Sequence, residues 1–425
     1  MKPLALSFTF LTLASAITTN TKKVDYDGWT VHRINVSSNG ARLSELITKL
    51  ELQTWKGHPE TSKIVDVAVS PAALQDFQSS TQEWDTKLMH LNLGESIAVE
   101  ADFPVYAAKS GAHVSRNTAP DSTWFSAYHS LADHMQWITD LAAAFPKNSE
   151  VFSAGKSNEG RDLTGIHIWG NGGKGSRAGI VWHATVHARE WITTMVVEYV
   201  AYQLLTASDA AAYRDKYDFY IIPVANPDGF FYTQTSDRMW RKNRQSTPSE
   251  SCVGRDINRN WPHKSWSQPG GASDSPCEQD YRGLSAGDGV ETKALKAHLD
   301  SIAAGKGVQL YMDIHAYSQL WMYPYGYTCS GTVPDVAEYK KLADGAVAVV
   351  KAVHNTTFEA GPICSTIYEA SGNSVDYAFD NAGAKYSMTV ELRDTGKYGF
   401  VLPAAEILPS GEEIWAGLVY LLKNM

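Results

Sequence analysis

His187 and Glu190 stand three residues apart in the run His187-Ala188-Arg189-Glu190. At that spacing one imidazole nitrogen and one carboxylate oxygen can aim at a common point, and Zn²⁺ takes such ligands at about 2.0–2.2 Å. A capping histidine followed by a first-turn glutamate would carry the same letters, so the pair gains weight only from partners elsewhere. His315 closes Asp313-Ile314-His315, and Glu391 closes Thr389-Val390-Glu391. A third ligand and a carboxylate base at those places would complete a catalytic metal site that keeps one position open for water. His183 competes as a ligand because it forms H-x-x-x-H with His187, but the apolar residues before it place it inside a strand.

The elements that must position these residues are legible around them. Residues 179–182, 218–224, 308–314 and 386–390 are apolar runs that read as buried strands. They lead respectively to His187, to Asn226-Pro227-Asp228-Gly229, to His315 and to Glu391. Trp191–Leu205 carries a helical apolar pattern, as does Tyr128–Phe145 through Leu131, Met135, Ile138 and Leu141. Strands alternating with helices predict an α/β fold with a largely buried sheet. Sites in open α/β sheets form beyond the carboxyl ends of the strands, so three strands delivering His, His and Glu to one edge form a constellation.

Composition sets the class. The chain has 425 residues, 44% hydrophobic and 20% charged, which suits a soluble globular protein of two domains or of one large and one small. A net charge of −9 without a basic block argues against a nucleic-acid partner. Lys2, the apolar run Leu4–Leu13 and Ala14-Ser15-Ala16 make residues 1–16 a secretory signal peptide. No later segment offers about 18 uninterrupted apolar residues, so the mature chain is expected to be secreted, extracellular and free of a membrane partner. The sequons Asn35-Val36-Ser37 and Asn355-Thr356-Thr357 agree with that route. The four cysteines permit two disulfides in any of three connectivities.

Residues 17–116 read as a small separate unit. Strands are expected at Thr30–Val36, Lys63–Ser70 and Leu88–Leu93, with an amphipathic helix over 41–52 and another helix begun by Pro71, with Leu74 and Phe77 on one face. That is an α+β module of the ferredoxin-like kind. It holds no catalytic cluster, since His58 and His90 are isolated. Ala107–Asp121 is small, polar and weakly basic, a protease-sensitive linker. The unit that carries the chemistry runs over 117–425.

The motifs H-x-x-E at 187–190, MWRKNR at 239–244, DINRNW at 256–261, DIHAYSQ at 313–319, TIYEASGNSVD at 366–376 and VELRDTGKYGF at 390–400 follow one another in a recognisable order. With the TWKG and KIVDVAVSP stretches of the small unit, the chain resembles a secreted pro-metallocarboxypeptidase of the pancreatic carboxypeptidase A/B family, over nearly everything after the signal peptide. The resemblance implies that family's fold: a mixed, mostly buried eight-stranded sheet flanked by helices, preceded by the ferredoxin-like module as an inhibitory prodomain. It implies one Zn²⁺ per chain on His187, Glu190 and His315. That His₂Glu set is the one known from carboxypeptidase A, so it is carried by the resemblance and is no independent derivation.

The same resemblance makes Glu391 the general base and Arg244 the donor to the carbonyl oxygen as it becomes an oxyanion, with Arg241 and Lys242 as surface charges. Asn258, Arg259 and Tyr368 match residues that hold the substrate's free carboxylate, a task suited to the planar fork of arginine; Asn260 is read as structural. Arg189, Tyr317 and Phe400 match contacts further from the substrate's C-terminus. Val375 stands where basic-specific members carry Asp, and Ile363 lines the same pocket. A C-terminal Lys or Arg would be buried there unpaired, so aromatic and large aliphatic C-terminal residues are the expected substrates. Asn373, where the pancreatic A-type enzyme has Gly, leaves the order of Phe and Leu open.

The family's common disulfide matches Cys252–Cys277, which leaves Cys329–Cys364. Cis peptide bonds are implied at Ala316–Tyr317, Pro324–Tyr325 and Arg393–Asp394. The implied partners are peptide and protein C-termini and an activating protease, for which Lys109 and Arg116 are candidate cut points, and the implied state is a monomer. A binding protein that had lost catalysis would lack a ligand or the base. A zinc endopeptidase would usually show H-E-x-x-H, which is absent, and would have no use for Asn258, Arg259 and Tyr368 together.

Overall fold

A computed structural model describes residues 23–36, 38–106 and 119–425. The expected signal peptide, the cut points Lys109 and Arg116, and the 116/117 boundary lie outside the described residues.

The N-terminal module runs β1 (Thr30–Asn35), α1 (Gly40–Lys49), β2 (Gln53–Lys56), β3 (Ile64–Val69), α2 (Leu74–Ser80), β4 (Asp85–His90) and α3 (Leu93–Glu100). Its antiparallel sheet has the order β2-β3-β1-β4, and its β-α-β-β-α-β core is the ferredoxin-like sequence of elements. β2 was not expected, because four residues are too few for a period to register. The last strand lies at 85–90 rather than 88–93; Asn92 ends it by accepting from the backbone of Gly94 and Glu95 as the N-cap of α3.

Side-chain alternation gives this sheet two different faces. Ile34, Val65, Val67 and Val69 pack with Leu43, Leu46 and Phe77 of its own helices. Val31, Ala68 and Trp55 belong instead to the apolar cluster that fills the larger unit. The small sheet is therefore covered on both sides, once by itself and once by the rest of the chain.

The larger unit opens with α4 (Leu131–Ala144) and continues with β5 (Ser149–Lys156), β6 (Asp162–Ile168), β7 (Gly179–Ala184), α5 (Trp191–Thr206), α6 (Ala210–Lys216), β8 (Asp218–Ile222) and α7 (Pro227–Thr235). After a long irregular stretch come α8 (Val290–Ala304), β9 (Val308–His315), β10 (Leu320–Tyr323), α9 (Val336–His354), β11 (Glu359–Pro362), α10 (Ile363–Thr366), α11 (Ser374–Asp380), β12 (Tyr386–Glu391) and α12 (Ile407–Asn424). The eight-stranded sheet has the order β11-β10-β12-β9-β7-β8-β6-β5. Its central strands β12, β9, β7 and β8 are parallel neighbours, and they are the four apolar runs of the sequence. The sheet is mixed, because β10 pairs antiparallel with β12 and the β5–β6–β8 side is antiparallel too.

Trp182, Met312, Val196 and Val200 lie in one apolar cluster; Val181, Tyr311, Leu295 and Leu299 lie in another. Successive residues of β7 and β9 thus face different cores, which is why these strands read as continuous rather than alternating. Among the described residues no helix is long and apolar enough to cross a membrane.

Candidate active site

The site sits where β7, β9 and β12 end. Between β7 and α5 the chain turns sharply at Thr185, which has φ 53°. Thr185 Oγ1 hydrogen-bonds both Thr193 Oγ1 and Thr194 Oγ1, and Thr193 Oγ1 also donates to Glu190 O. That buried hydroxyl cluster fixes the loop carrying His187 and Glu190. Glu190 occupies the N-cap position of α5 but makes no side-chain cap bond, so the helix-capping explanation of this glutamate does not hold.

The carboxylate points into a cluster instead. Glu190 Oε1 is 2.8 Å from His187 Nδ1 and Oε2 is 3.1 Å from His315 Nδ1, while the two Nδ1 atoms are 3.0 Å apart. The three residues are buried, and their donor atoms all lie within 4.8 Å of one another. Two imidazole nitrogens facing one carboxylate fit a divalent cation such as Zn²⁺. The outer nitrogens are also engaged. His187 Nε2 lies 3.1 Å from Asp256 Oδ1, and His315 Nε2 lies 3.3 Å from Asp313 Oδ1. Carboxylates at the far nitrogen favour the tautomer whose Nδ1 lone pair faces inward. His183 is not part of the group: fully buried in β7, its Nδ1 lies 3.1 Å from Tyr311 Oη, and burial pushes its pKa down to about 4.

Strand register supplies the fourth residue. Glu391 of β12 pairs with His315 of β9, so the base candidate lies one strand from a ligand candidate without any loop having to place it. Without a cation, burial pushes its carboxyl up to about 8 against the pull of His315. Glu190 behaves oppositely: burial pushes it up, but His187 and His315 outweigh burial and hold it well below the usual range.

Two expectations about arginines are overturned. Arg244 does not reach the cluster; its guanidinium stacks on Tyr232 at 3.7 Å and on Trp240 at 4.4 Å from the ring centroids. Arg241 is the arginine at the site, with Nη1 3.9 Å from Glu190 Oε1 and with Nε and Nη2 donating to Asp256 Oδ2 at 3.0 and 2.7 Å. Residues 241–245 are not helical, and Asn243 and Gly254 hydrogen-bond across to Arg255 and Gln245. Along this irregular segment the two arginines turn to different surroundings, Arg241 to Glu190 and Asp256 and Arg244 to Tyr232 and Trp240. Nor are Arg241 and Lys242 surface charges: Arg241 is largely buried, and Lys242 is buried with Nζ donating to Pro276 O at 2.6 Å. The sequence signal for the Arg241 position was Asp256, the first residue of DINRNW, whose pairing role spacing alone did not reveal.

Asn258 and Arg259 lie in a tight turn begun by Asp256, which accepts from Asn258 N. Arg259 is buried with Nε unpartnered and Nη1 donating to Asn258 O, and its guanidinium is 5.8 Å from the Tyr368 ring centroid. A buried guanidinium with donors to spare fits an incoming carboxylate. Asn258 Oδ1 accepts from Ser374 N, and its Nδ2 lies 3.0 Å from His315 Nε2, which joins this corner to the metal cluster. Asn260 bonds Arg282 O, Ser285 O and Asp288, a structural duty as expected.

Val375 and Ile363 are buried in one apolar cluster. The neighbouring acid, Asp376, is fully buried and accepts from Gly326 N, Tyr327 N and Asn373 Nδ2. Asn373 turns its amide to Ala370 O and Asp376 and accepts from Asp376 N. Cys252–Cys277 and Cys329–Cys364 are both formed, and the three expected cis peptide bonds are present.

Arg189, Tyr317 and Phe400 form a separate group, met by the N-terminal module. Arg189 stacks 4.2 Å over Phe400 and donates to Trp55 O at 3.5 Å, while the Trp55 and Phe400 rings are 5.3 Å apart. Tyr317 Oη donates to Asp66 Oδ2 at 2.5 Å, and Arg33 holds that carboxylate at 2.7 and 2.6 Å. Arg238 grips Glu100 of α3 with two bonds of 2.7 and 2.9 Å and also donates to Arg189 O and Phe400 O. Neither Glu100 nor Arg238 carried any signal in the sequence.

The sequence model of the zinc carboxypeptidase family matches residues 134–417. The metallocarboxypeptidase A-like protein of Trichophyton verrucosum (strain HKI 0517) is 45% identical over 428 residues, covering 100% of both chains. Metallocarboxypeptidase A of Arthroderma otae is 45% identical over 404 residues, covering 94% of this chain and 93% of that protein. The crystal structure of thrombin activatable fibrinolysis inhibitor (TAFI) superposes with a TM-score of 0.82 at 28% identity, covering 93% of this chain and 98% of that one.

Proposed function

Because the chain belongs to the zinc carboxypeptidase family and is therefore a metallocarboxypeptidase, we propose that it removes single aromatic or large aliphatic residues from free C-termini, and that it is secreted as a zymogen. The observation that carries this reading is the convergence of His187, Glu190 and His315 with Glu391 in register beside them and a buried, under-bonded Arg259 nearby. Zinc held by those three residues would supply a Lewis acid for the scissile carbonyl and would lower the pKa of the attacking water toward ~7.

The chain's own residues do the rest. Arg259, Asn258 and Tyr368 hold the terminal carboxylate, which places the last peptide bond at the metal cluster and excludes internal bonds. Glu391 takes a proton from the attacking water and gives it to the leaving amine nitrogen, so that the C–N bond breaks and a free amino acid departs. Arg241, rather than Arg244, donates to the carbonyl oxygen as charge grows there; its tie to Asp256 keeps the guanidinium aimed. Val375 and Ile363 receive the terminal side chain. Asp376 gives a basic side chain no free carboxylate, since backbone amides and Asn373 already occupy it.

Residues 17–116 act as the propeptide, after the signal peptide 1–16, and 117–425 as the catalytic domain, a monomer. The reading is supported by Trp55 and Asp66 lying on Arg189 and Tyr317, where an extended substrate would run. An activating protease cuts the linker.

The test is product mass, before and after limited proteolysis, with and without a zinc chelator. The substrates are matched peptides ending in Phe, Leu or Arg, each free or amidated. Loss of one residue from free Phe and Leu ends only, after proteolysis and blocked by chelation, is expected. Indifference to amidation would sink the carboxylate assignment, and equal release of Arg would sink the side-chain preference.

A further inference from the structure

We propose that Asn355 is an N-glycosylation site and that the other sequon, at Asn35, is not used. The proposal rests on the secretory reading above.

Asn355 caps the C-terminus of α9 in the left-handed conformation, φ 60° and ψ 22°. Its backbone N–H is used, donating to Lys351 O, but among the described residues its side chain has no hydrogen-bond partner. The whole stretch 351–355 is exposed, as is Thr357. The left-handed turn explains an asparagine here without any glycan; it does not explain a threonine two residues on. Thr357 contributes its backbone carbonyl, which accepts from Gln319 Nε2, and among the described residues its hydroxyl has no hydrogen-bond partner. The middle residue is the one with a structural duty, since Thr356 Oγ1 accepts from Arg393 Nη2 at 2.7 Å. The two side chains that a glycosylating enzyme reads are thus the two left free.

Asn35 presents the opposite case. It lies in β1, paired on one side with Ile64 and on the other with Asp85, and its Nδ2 donates to Asp85 Oδ2 at 2.5 Å.

The step joins Asn355 Nδ2 to the anomeric carbon of an N-acetylglucosamine-terminated oligosaccharide. It breaks that carbon's bond to a lipid-pyrophosphate carrier, and one amide proton leaves with the pyrophosphate. The sugar would stand four residues before β11, the outermost strand of the large sheet. Leu320 pairs with both Glu359 and Glu391, so the sugar flanks the catalytic edge two strands away from the base, without entering it. It also lies beside an open strand edge of the kind proteins usually cover or charge.

The full chain, with its own leader, is expressed in a eukaryotic secretory host and the medium is examined by gel mobility before and after peptide-N-glycosidase. Asn355→Gly keeps the left-handed turn and removes the acceptor, and Thr357→Ala leaves Asn355 and spoils only the motif. The expected result is a glycosidase-sensitive shift in the parent chain and in Asn35→Gln, lost in both variants at 355–357. A secreted chain with no shift, or with a shift lost only in Asn35→Gln, overturns the assignment. A chain retained in the cell and unshifted overturns the secretory reading, and this site with it; repeating the assay behind a proven secretory leader tells the two failures apart.

Discussion

The large and the small sheet both hide two faces, but by different means. In the large sheet, β7 and β9 are apolar on both sides and are covered by helices of their own unit. In the small sheet, β3 reads Ile64-Val65-Asp66-Val67-Ala68-Val69: its valines meet their own helices, while Asp66 and Ala68 face the larger unit. The cover over that second face is partly ionic and hydrogen-bonded, through Arg33, Asp66, Tyr317, Glu100 and Arg238. Water can solvate such groups when the cover leaves, whereas it cannot solvate the faces of β7. The difference separates a permanent core from an interface suited to release, and on the zymogen reading proposed above it separates the substitutions that should stop chemistry from those that should change latency.

The largest effect is expected at the end of the permanent sheet. Glu391→Gln keeps the shape and removes the base, and should lower kcat of the proteolysed enzyme by about 10²–10⁴; a loss under tenfold would remove Glu391 from the proton path. Next comes the arginine pair. Arg241→Ala should cost about 10²–10³ in kcat, while Arg244→Ala, which loses only its aromatic stacking, should stay within a few-fold. The reverse order in steady-state assays would restore the expectation drawn from the sequence.

Where the small module meets the larger unit, Glu100→Ala leaves Arg238 buried and uncompensated, a change that typically costs about 3–5 kcal/mol. Peptidase activity of the uncut chain should rise by about 10²-fold or more, with kcat after proteolysis unchanged. Unaltered latency would mean that the pair does not hold the module down.

The smallest effect should be acid sensitivity of the permanent core. His183 is pushed down to about 4 by burial, so the folded protein keeps it neutral while the unfolded chain protonates it near pH ~6.5. The unfolded state then binds more protons, and stability that is intact above pH ~6.5 is lost as the pH falls toward 4. Between pH 7 and 5 this amounts to about 2 kcal/mol. Thermal unfolding of His183→Asn should show a smaller loss over that interval, and an identical loss would assign the acid sensitivity elsewhere.

Legibility followed the same division. β7, β8, β9 and β12 were readable because burial on both faces leaves runs of apolar residues, and α4 and α5 because they are long enough to show a period. β10, β11 and β2 have four residues each, and β11 contains Gly361 and Pro362, so pattern could not find them. The metal cluster and both disulfides were legible through motif resemblance. Arg241 was not, because motif spacing in irregular backbone carries no side-chain direction.

The sequence by itself determined the central strands, the residue types at their ends and the presence of a small α+β module, since these depend on local period and on which chemistry each side chain can do. Tertiary structure decided the rest. It put Glu391 beside His315 through the β9–β12 register and chose Arg241 over Arg244. It also turned Asp66, outwardly the polar side of an alternating strand, into a contact with Tyr317. Each of these is a relation between residues from 51 (Arg241 and Glu190) to 251 (Asp66 and Tyr317) positions apart in the chain. Its energy comes from burial and pairing that exist only once distant parts of the chain have packed.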